Sequence, residues 1–567
     1  MLRFWSLVVL VTALALPTSA QDVASDVDAL MEAYHDIGLF NGSVLIASGD
    51  EVVYENGFGE AEMSWGVANA PDTKHRIGSV TKQFTAALIL QLVEEGEIDL
   101  DAPISRYLPD YPAEQAVVTI HQLLSHTGGI REHTIRPDFG EIMRDPTTPE
   151  AFLEVFSGEP LDFEPGTQYN YSNSGYFLLG TILERVTGET YADLLRQRLL
   201  APLGLDDSGY QTNETILNKM ASGYSRTGTG FQHAVYLDTS IPYSAGMMYS
   251  TVRDLHTWTR ALHAAEPFES AETLETMLTP VLNEYGYGIG NSQIPVGDRT
   301  VQAVAHSGGI PGFASMLIYF PESEHTIAIV SNTGDGVGAI ARNVAQVLHG
   351  GEAETPTPPL AAVVAGIIES DGVEAAIAHT RERRASGGSF DEFQLNTVGY
   401  ELLNEGRVQE AIQIFELNVE MFPEASNPYD SLGEAYFVAR DPDKAAANYL
   451  RALELNPSSN NAREMLRRIG VEPPEAEEVT VSAETLDAYV GRYALAPTFI
   501  IEITREGTQL FGQATGQPRI ALAPMTQTRF VAFGVDAQVS FTREGDAPAH
   551  MLTLHQGGRN QPAERVE

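Results

Sequence analysis

The sequence predicts a multidomain chain with three folds in series: an α/β domain, an all-α region of helical repeats, and a small antiparallel β-barrel. Three observations predict it. Strand-like segments at both ends of residues 21–350 enclose a helical block, so the returning chain completes one sheet. From about residue 392 the sequence repeats with a period of 34. Residues 483–567 alternate apolar and polar groups between turn signals. At 567 residues the chain is too long for a single core, and Pro/Glu-rich linkers at 351–360 and 471–482 divide it.

Composition narrows the function. Apolar residues make up 43% and aromatic residues 8%, as in ordinary folded protein. A formal net charge of −43 argues against nucleic-acid binding and against docking on anionic lipid. Residues 1–20 carry Arg3, an apolar run from 7 to 16 and small residues up to Ala20, which reads as a signal peptide cleaved after Ala20. That run is too short to span a bilayer, and no other membrane span is expected. The chain has no cysteine, so neither a lipid anchor, nor disulfides, nor a thiolate metal site is expected. The mature protein is therefore expected to be periplasmic or secreted, and stabilised by its cores alone. No cofactor and no metal are expected, because there is no His-Glu-x-x-His and the 14 histidines show no ligand spacing.

In chain order, residues 23–37 read as a helix, and 42–47 with 51–54 as a hairpin turning at 48–50. Within residues 75–96 a polar lead-in, with a short strand at 76–77, runs into an apolar helix that Gly96 stops. Helical pieces follow at 100–108 and 120–124, and helix-rich sequence runs to about 265. Strands return at 285–288, 301–306, 316–320 and 326–331.

The helix after residue 78 carries the first chemical signal. Phe84, Leu88, Ile89, Leu90 and Leu92 make it apolar on most sides, yet it opens with Ser79 and Lys82. Residues three apart share a helix face, about 5–6 Å between Cβ atoms. Burial and the positive helix end both disfavour an ammonium there, and a neutral amine beside a hydroxyl activates serine. A surface lysine one turn after a serine cap would give the same pattern. However, the chain has only four lysines among its 34 basic residues, so roughly 0.2 Ser-x-x-Lys matches are expected by chance. Arginine cannot release its proton and lysine can.

Two further constellations stand apart. Residues 165–176 contain Tyr171 and Asn173 on a polar loop before an apolar helix starting near Tyr176. By itself this is more often an Asn/Ser-rich helix entry with a packed tyrosine. Residues 306–313 place His306, Ser307, Gly308 and Gly309 at a strand end, where glycine admits a ligand close to the backbone. A strand-end histidine is more often a hydrogen-bonded surface residue than a catalyst.

Together, Ser79-x-x-Lys82, Tyr171-x-Asn173 and His306-Ser307-Gly308 resemble the penicillin-binding-protein-like serine hydrolases. That family includes class C β-lactamases, D-Ala-D-Ala carboxypeptidases, D-aminopeptidases and esterases. Residues 76–83, 123–129 and 201–205 support the likeness, which covers about 25–350. The resemblance implies a β-lactamase-like fold, an antiparallel sheet against a helical subdomain with the three motifs around one cleft. It implies Ser79 as acylated nucleophile, Lys82 and Tyr171 sharing the general-base work, and Asn173 orienting Lys82 and the substrate amide. The backbone N–H groups of Ser79 and Gly309 would form the oxyanion hole. His126 stands in a recurrent phrase and is expected to make a structural hydrogen bond. Many relatives carry lysine where His306 stands, to meet a substrate carboxylate. Imidazole is only partly charged near pH 7, which lowers β-lactam hydrolysis and raises esterase or D-peptidase activity.

In the second half, Gly399 and Gly433, Ala411 and Ala445, Phe415 and Tyr449, and Pro423 and Pro457 are each 34 apart. This resembles the tetratricopeptide repeat, over 361–470, and implies a surface for a protein partner or self-association. A plain helical pair without a partner fits the same residues. Strands are expected at 499–504, 509–512, 530–533, 539–543 and 550–554, and residues 486–493 resemble the opening of a lipocalin-like domain. The leading function is an exported serine hydrolase acting on small esters, D-amino-acid peptides or amides. The alternatives are a non-catalytic penicillin-binding-like sensor that recruits partners through its repeats, and a true class C β-lactamase.

Overall fold

Six strands carry the first domain: β1 (Gly42–Ser48), β2 (Glu51–Phe58), β3 (Gly290–Val296), β4 (Arg299–Ile310), β5 (Phe313–Phe320) and β6 (His325–Ser331). In this computed structural model they form one antiparallel sheet of order β3-β4-β5-β6-β1-β2. The structure describes residues 20–566 except 113, 137, 229, 458, 475–478, 497–498, 516, 518, 533–534, 536, 546 and 558. The leader expected at 1–20 therefore lies, but for its last residue, outside the described residues. Pairing of β1 with β6, from Gly42 opposite Ser331 to Ser48 opposite His325, joins the two ends of the domain. The sheet is thus completed by the chain's return.

Four helices fix the layers: α1 (Ala20–Asp36), α2 (Thr81–Glu94), α3 (Asn173–Thr187) and α4 (Gly338–Leu348). Along β1, Val44 and Ile46 pack in one core with α1 and α4, while Leu45 and Ala47 pack in the other with α2 and the helical subdomain. A strand buried on both faces reads as a continuous apolar run, as Val44 to Ala47 does.

Helix α2 is the axis of the helical subdomain, and the polar side chains of its first part, Thr81, Lys82, Gln83 and Thr85, are buried. Phe84 stacks on Trp258 at 4.0 Å between ring centres. Gln83 accepts from the Trp258 indole at 2.9 Å, and the Thr85 hydroxyl donates to Ser244 O at 2.6 Å, so the buried polar groups are satisfied. Gly96, at φ +76°, ends the segment as expected.

Three local expectations need correction. Residues 285–288 alternate like a strand but form none: Tyr285 and Tyr287 turn into the helical subdomain, and the edge strand is Gly290–Val296. Of the helical reading at 100–108 only a single 3₁₀ turn, Ile104–Arg106, forms. Asn173 is the first residue of α3 rather than a loop residue, because Ser172 caps the helix by accepting from Gly175 N.

Beyond the sheet domain come α5 (Leu360–Asp371), α6 (Val373–Ala385), α7 (Glu392–Asn404), α8 (Val408–Met421), α9 (Ser426–Val438), α10 (Pro442–Leu455) and α11 (Asn460–Ile469). Short turns join them. A Cβ on Gly399 would stand 2.5 Å from the Phe415 ring, and one on Gly433 would stand 3.0 Å from the Tyr449 ring. The sequence period is therefore also a packing period. At the C-terminus β7 (Gly491–Ala496), β8 (Phe499–Glu506), β9 (Gln509–Ala514), β10 (Ile520–Pro524), β11 (Arg529–Ala532), β12 (Ala537–Thr542), β13 (Met551–Gln556) and β14 (Arg559–Arg565) close into a barrel. Tyr489, Tyr493, Ile503, Phe530, Phe541 and Leu552 fill its interior, with Tyr489 stacked 4.3 Å from Phe541.

The domains touch. Gly228 N donates to the Glu401 carboxylate at 2.8 and 2.9 Å, Gln538 Nε2 to Leu455 O at 2.7 Å, and Gln513 Nε2 to Tyr169 O at 3.2 Å.

Candidate active site

Ser79 sits on a 3₁₀ turn, Gly78–Val80, that feeds directly into α2, and Lys82 lies on the first turn of that helix. The turn is tight because Gly78 takes φ +51° and β4 presses against it. A Cβ on Gly78 would stand 2.6 Å from the Gly309 nitrogen, and one on Gly308 would stand 1.9 Å from Ile77 O. Glycine at 78 and 308 thus lets the strand end lie against the turn that carries Ser79. The Ser315 hydroxyl, donating to Ile77 O at 2.7 Å, ties the two together.

The Lys82 amine is fully enclosed and makes three contacts: Ser79 Oγ at 3.1 Å, Asn173 Oδ1 at 2.7 Å and Ala245 O at 2.8 Å. Burial pulls it down from an ordinary 10.5 to about 7, and the Glu132 carboxylate works in the other direction. The faces of Tyr171 and Tyr176, 4.8 and 5.4 Å from Nζ, complete the enclosure and favour the ammonium modestly. Burial holds the Tyr171 phenol well above the usual range, and the nearby Ser79 side chain offsets that only in part.

Glu132, which no sequence pattern singled out, organises the other side. Its Oε1 accepts from Asn173 Nδ2 at 3.0 Å and from Thr134 Oγ1 at 2.6 Å, and its Oε2 accepts from the Asn173 backbone N–H. The side-chain amide and the backbone N–H of Asn173 are thus both held by Glu132, with Oδ1 toward Lys82. Burial works against the ionised carboxylate, but His133 and the donors of Thr134 and Asn173 outweigh it and keep Glu132 below the usual range. Glu132→Gln leaves a single acceptor for donors that need two. The expected result is a 10- to 100-fold loss in kcat for a loosened supporting residue. The activity midpoint should also move to lower pH, since the carboxylate that raises the Lys82 pKa is gone; a pH–rate profile of the variant checks both.

The third motif is present but differs from the expectation. His306 is buried and its ring lies 6.2 Å from that of Tyr171. Its Nδ1–H donates to Ser307 O at 2.6 Å, and its Nε2 accepts from Tyr285 OH at 2.8 Å. Burial, with Lys82 nearby, pulls the imidazole down to about 4. It is uncharged at neutral pH, not partly charged, and it has no nitrogen free to meet a carboxylate. Ser307 and Gly309 are exposed on β4 beside the turn. His126 makes the expected structural bond, its Nδ1 accepting from Ser172 N at 3.1 Å, and its ring lies 4.3 Å from that of Tyr171.

Ser79, Asn173 and Gly309 open onto a cavity of about 250 Å³ whose other walls include Phe139, Met143 and Ile241. No lysine or arginine lines it among the described residues. Nor do the described residues hold a group of three or more metal-ligating side chains, and none of their helices is long and apolar enough to cross a membrane.

A serine and an enclosed amine between an antiparallel sheet and a helical subdomain define a serine hydrolase of the β-lactamase and penicillin-binding-protein class. The Beta-lactamase family profile matches residues 23–350, more than half of the chain, and the protein belongs to that family. A second profile, a domain of unknown function (DUF3471), matches residues 475–565, the barrel. The chain is 28% identical over 368 residues to Penicillin-binding protein 4* of Bacillus subtilis (strain 168), covering 60% of this chain and 79% of that protein. Among solved structures, a penicillin binding protein from Bacillus halodurans aligns with a TM-score of 0.50 and 27% identity, over 57% of this chain and 98% of its own. A D-amino acid amidase from Ochrobactrum anthropi SV3 aligns with a TM-score of 0.50 and 26% identity, over 58% and 99%.

Proposed function

We propose that the protein forms an acyl-enzyme at Ser79 on esters or amides whose acyl group is apolar and carries no carboxylate. The observation that carries this is the Lys82 amine, enclosed 3.1 Å from Ser79 Oγ and held at about 7. About half of such an amine is neutral at pH 7, whereas a phenol above 10 is ionised in fewer than roughly one molecule in a thousand. Lys82 is therefore the base, and Tyr171 acts as a protonated hydroxyl. Lys82 takes the Ser79 proton as Oγ attacks the carbonyl carbon. The amides of Ser79 and Gly309 receive the developing oxyanion. Collapse expels the alcohol or amine, which leaves with the proton returned from Lys82 through Tyr171. Water then repeats the sequence to release the acid.

The choice of substrate rests on charge. The cavity walls are mostly apolar, burial holds the His133 that lines them below the usual imidazole range, and His306 is neutral with both nitrogens engaged, so a substrate carboxylate finds no cation there. This favours esters and amides over β-lactams and D-Ala-D-Ala peptides. The likeness to a D-amino acid amidase fits, since an amide has no free carboxylate at the scissile end. The test compares p-nitrophenyl butyrate with the p-nitrophenyl monoester of glutarate and with a chromogenic cephalosporin. The neutral ester is expected to turn over at least tenfold faster in kcat/KM than either; parity with the charged substrates would sink the reading.

The flanking parts fit an exported, multidomain enzyme. The leader at 1–20 is a signal peptide in this reading, so the mature chain would begin at Gln21, which intact mass of the exported protein checks. The helical hairpins at 361–470 are read as tetratricopeptide-type repeats from their 34-residue packing period, offering a surface for a protein or a second copy. The barrel is read as lipocalin-like in its opening residues, though its interior is filled by its own side chains.

A further inference from the structure

A second cavity, of about 460 Å³, lies between the hydrolase domain and the barrel. Its hydrolase wall is built from Arg131, Ile135 and the loop from Asp162 to Asn170, and its barrel wall includes Phe511, Ala521 and Val535. One short segment, residues 131–135, stands between it and the cavity at Ser79. Arg131 and Ile135 face the interdomain cavity, while His133 and Thr134, between them in sequence, line the cavity at Ser79. The loop that closes the interdomain cavity runs on to Tyr171, and the barrel grips it there through Gln513 and Tyr169 O.

The walls say what the cavity accepts. Ile135 and Val535, one from each domain, are left 59% and 40% exposed, although both are large apolar side chains. Phe511 lies beneath the Arg519 guanidinium at 3.7 Å, and Thr504 and Glu506 hold that arginine, giving a flat face. Each arginine has an acidic neighbour, Arg131 with Glu159 at 3.9 Å and Arg519 with Glu506 at 2.7 Å. A charged group therefore gains little, and the apolar faces decide.

Resting on the reading of Ser79 as the acylated serine, we infer that this cavity is a second acyl subsite. It seats an aromatic or branched apolar group at the far end of an extended acyl chain that passes from the Ser79 cavity over Thr134. The barrel lies outside the segment that matches the Beta-lactamase family, so this chain gains the subsite from its appended domain. Pockets of this size with mixed apolar and polar walls are the usual form of small-molecule sites.

The test uses the full-length protein and two ethoxy fluorophosphonates, one with a methyl and one with a 6-phenylhexyl chain, read as labelling rate constants by intact mass. The wild type is expected to prefer the phenylhexyl probe at least tenfold. Ala521→Trp, which fills the cavity, and Phe511→Ala, which removes its flat wall, are expected to cut that preference at least threefold. Their rates with the methyl probe should stay within twofold of wild type. A preference unchanged in both variants, or no preference in the wild type, overturns the subsite. Labelling of Ser79→Ala at the wild-type rate, or no labelling of the wild type by either probe, overturns the Ser79 reading instead.

Discussion

Ser79→Ala is expected to lower kcat/KM on p-nitrophenyl butyrate by at least about 10,000-fold, the scale seen when a serine nucleophile is removed from an otherwise intact site. The loss should fall almost wholly on kcat, because the cavity walls and the Gly309 amide are untouched. Alanine is a clean probe here. Ser79 is half-buried, and Lys82 keeps its bonds to Asn173 and Ala245 when the hydroxyl is gone. Stability should therefore stay within about 1 kcal/mol of the wild type, the net worth of one hydrogen bond. Equal midpoints in urea with lost turnover would separate chemistry from folding. Turnover retained in a correctly folded Ser79→Ala protein would end the acyl-enzyme mechanism and return weight to a non-catalytic sensor.

What could be read from the sequence followed local pattern. Helix α2 was legible because its apolar groups surround it and Gly96 stops it, and Lys82 stood out because lysine is rare in this chain. The 34-residue period was legible because small residues recur where rings pack, at Gly399 against Phe415 and Gly433 against Tyr449. Glu132 was not, since a lone acid after a glycine turn looks like any solvated one. Only the fold brings it to Asn173. Tyr285 departs from its pattern for a physical reason: alternation at 285–288 mimics a strand, while the Tyr285 ring is drawn inward to His306 and His126. Strands β7, β10 and β14 also escaped. Along β14 only Ala563 is fully buried, so closure of the barrel, rather than an apolar pattern, makes it a strand.

Lys82→Met tests the same site from the side of stability. The buried amine titrates near 7 in the folded chain and near 10.5 when unfolded, a gap of roughly 5 kcal/mol. Between those values the unfolded chain binds the extra proton, so wild-type stability rises as pH climbs from about 7 to 10.5, and below 7 the contribution is flat. Methionine has no proton to bind. The wild type should therefore gain on Lys82→Met by up to roughly 5 kcal/mol across that window, whatever offset the orphaned Asn173 and Ala245 oxygens add. Urea midpoints at pH 6, 8 and 10 for both proteins measure it, and parallel curves would show that the amine is not buried as described. Activity runs on the same equilibrium in the same direction. Only the neutral amine can take the Ser79 proton, so wild-type kcat/KM should rise with pH and reach half its plateau near 7. Lys82→Met and Lys82→Arg should both lose at least about 1,000-fold, because neither side chain can accept that proton. A wild-type half-maximum near pH 10 would mean that the enclosure does not tune the lysine, and the base would then have to be sought at Tyr171.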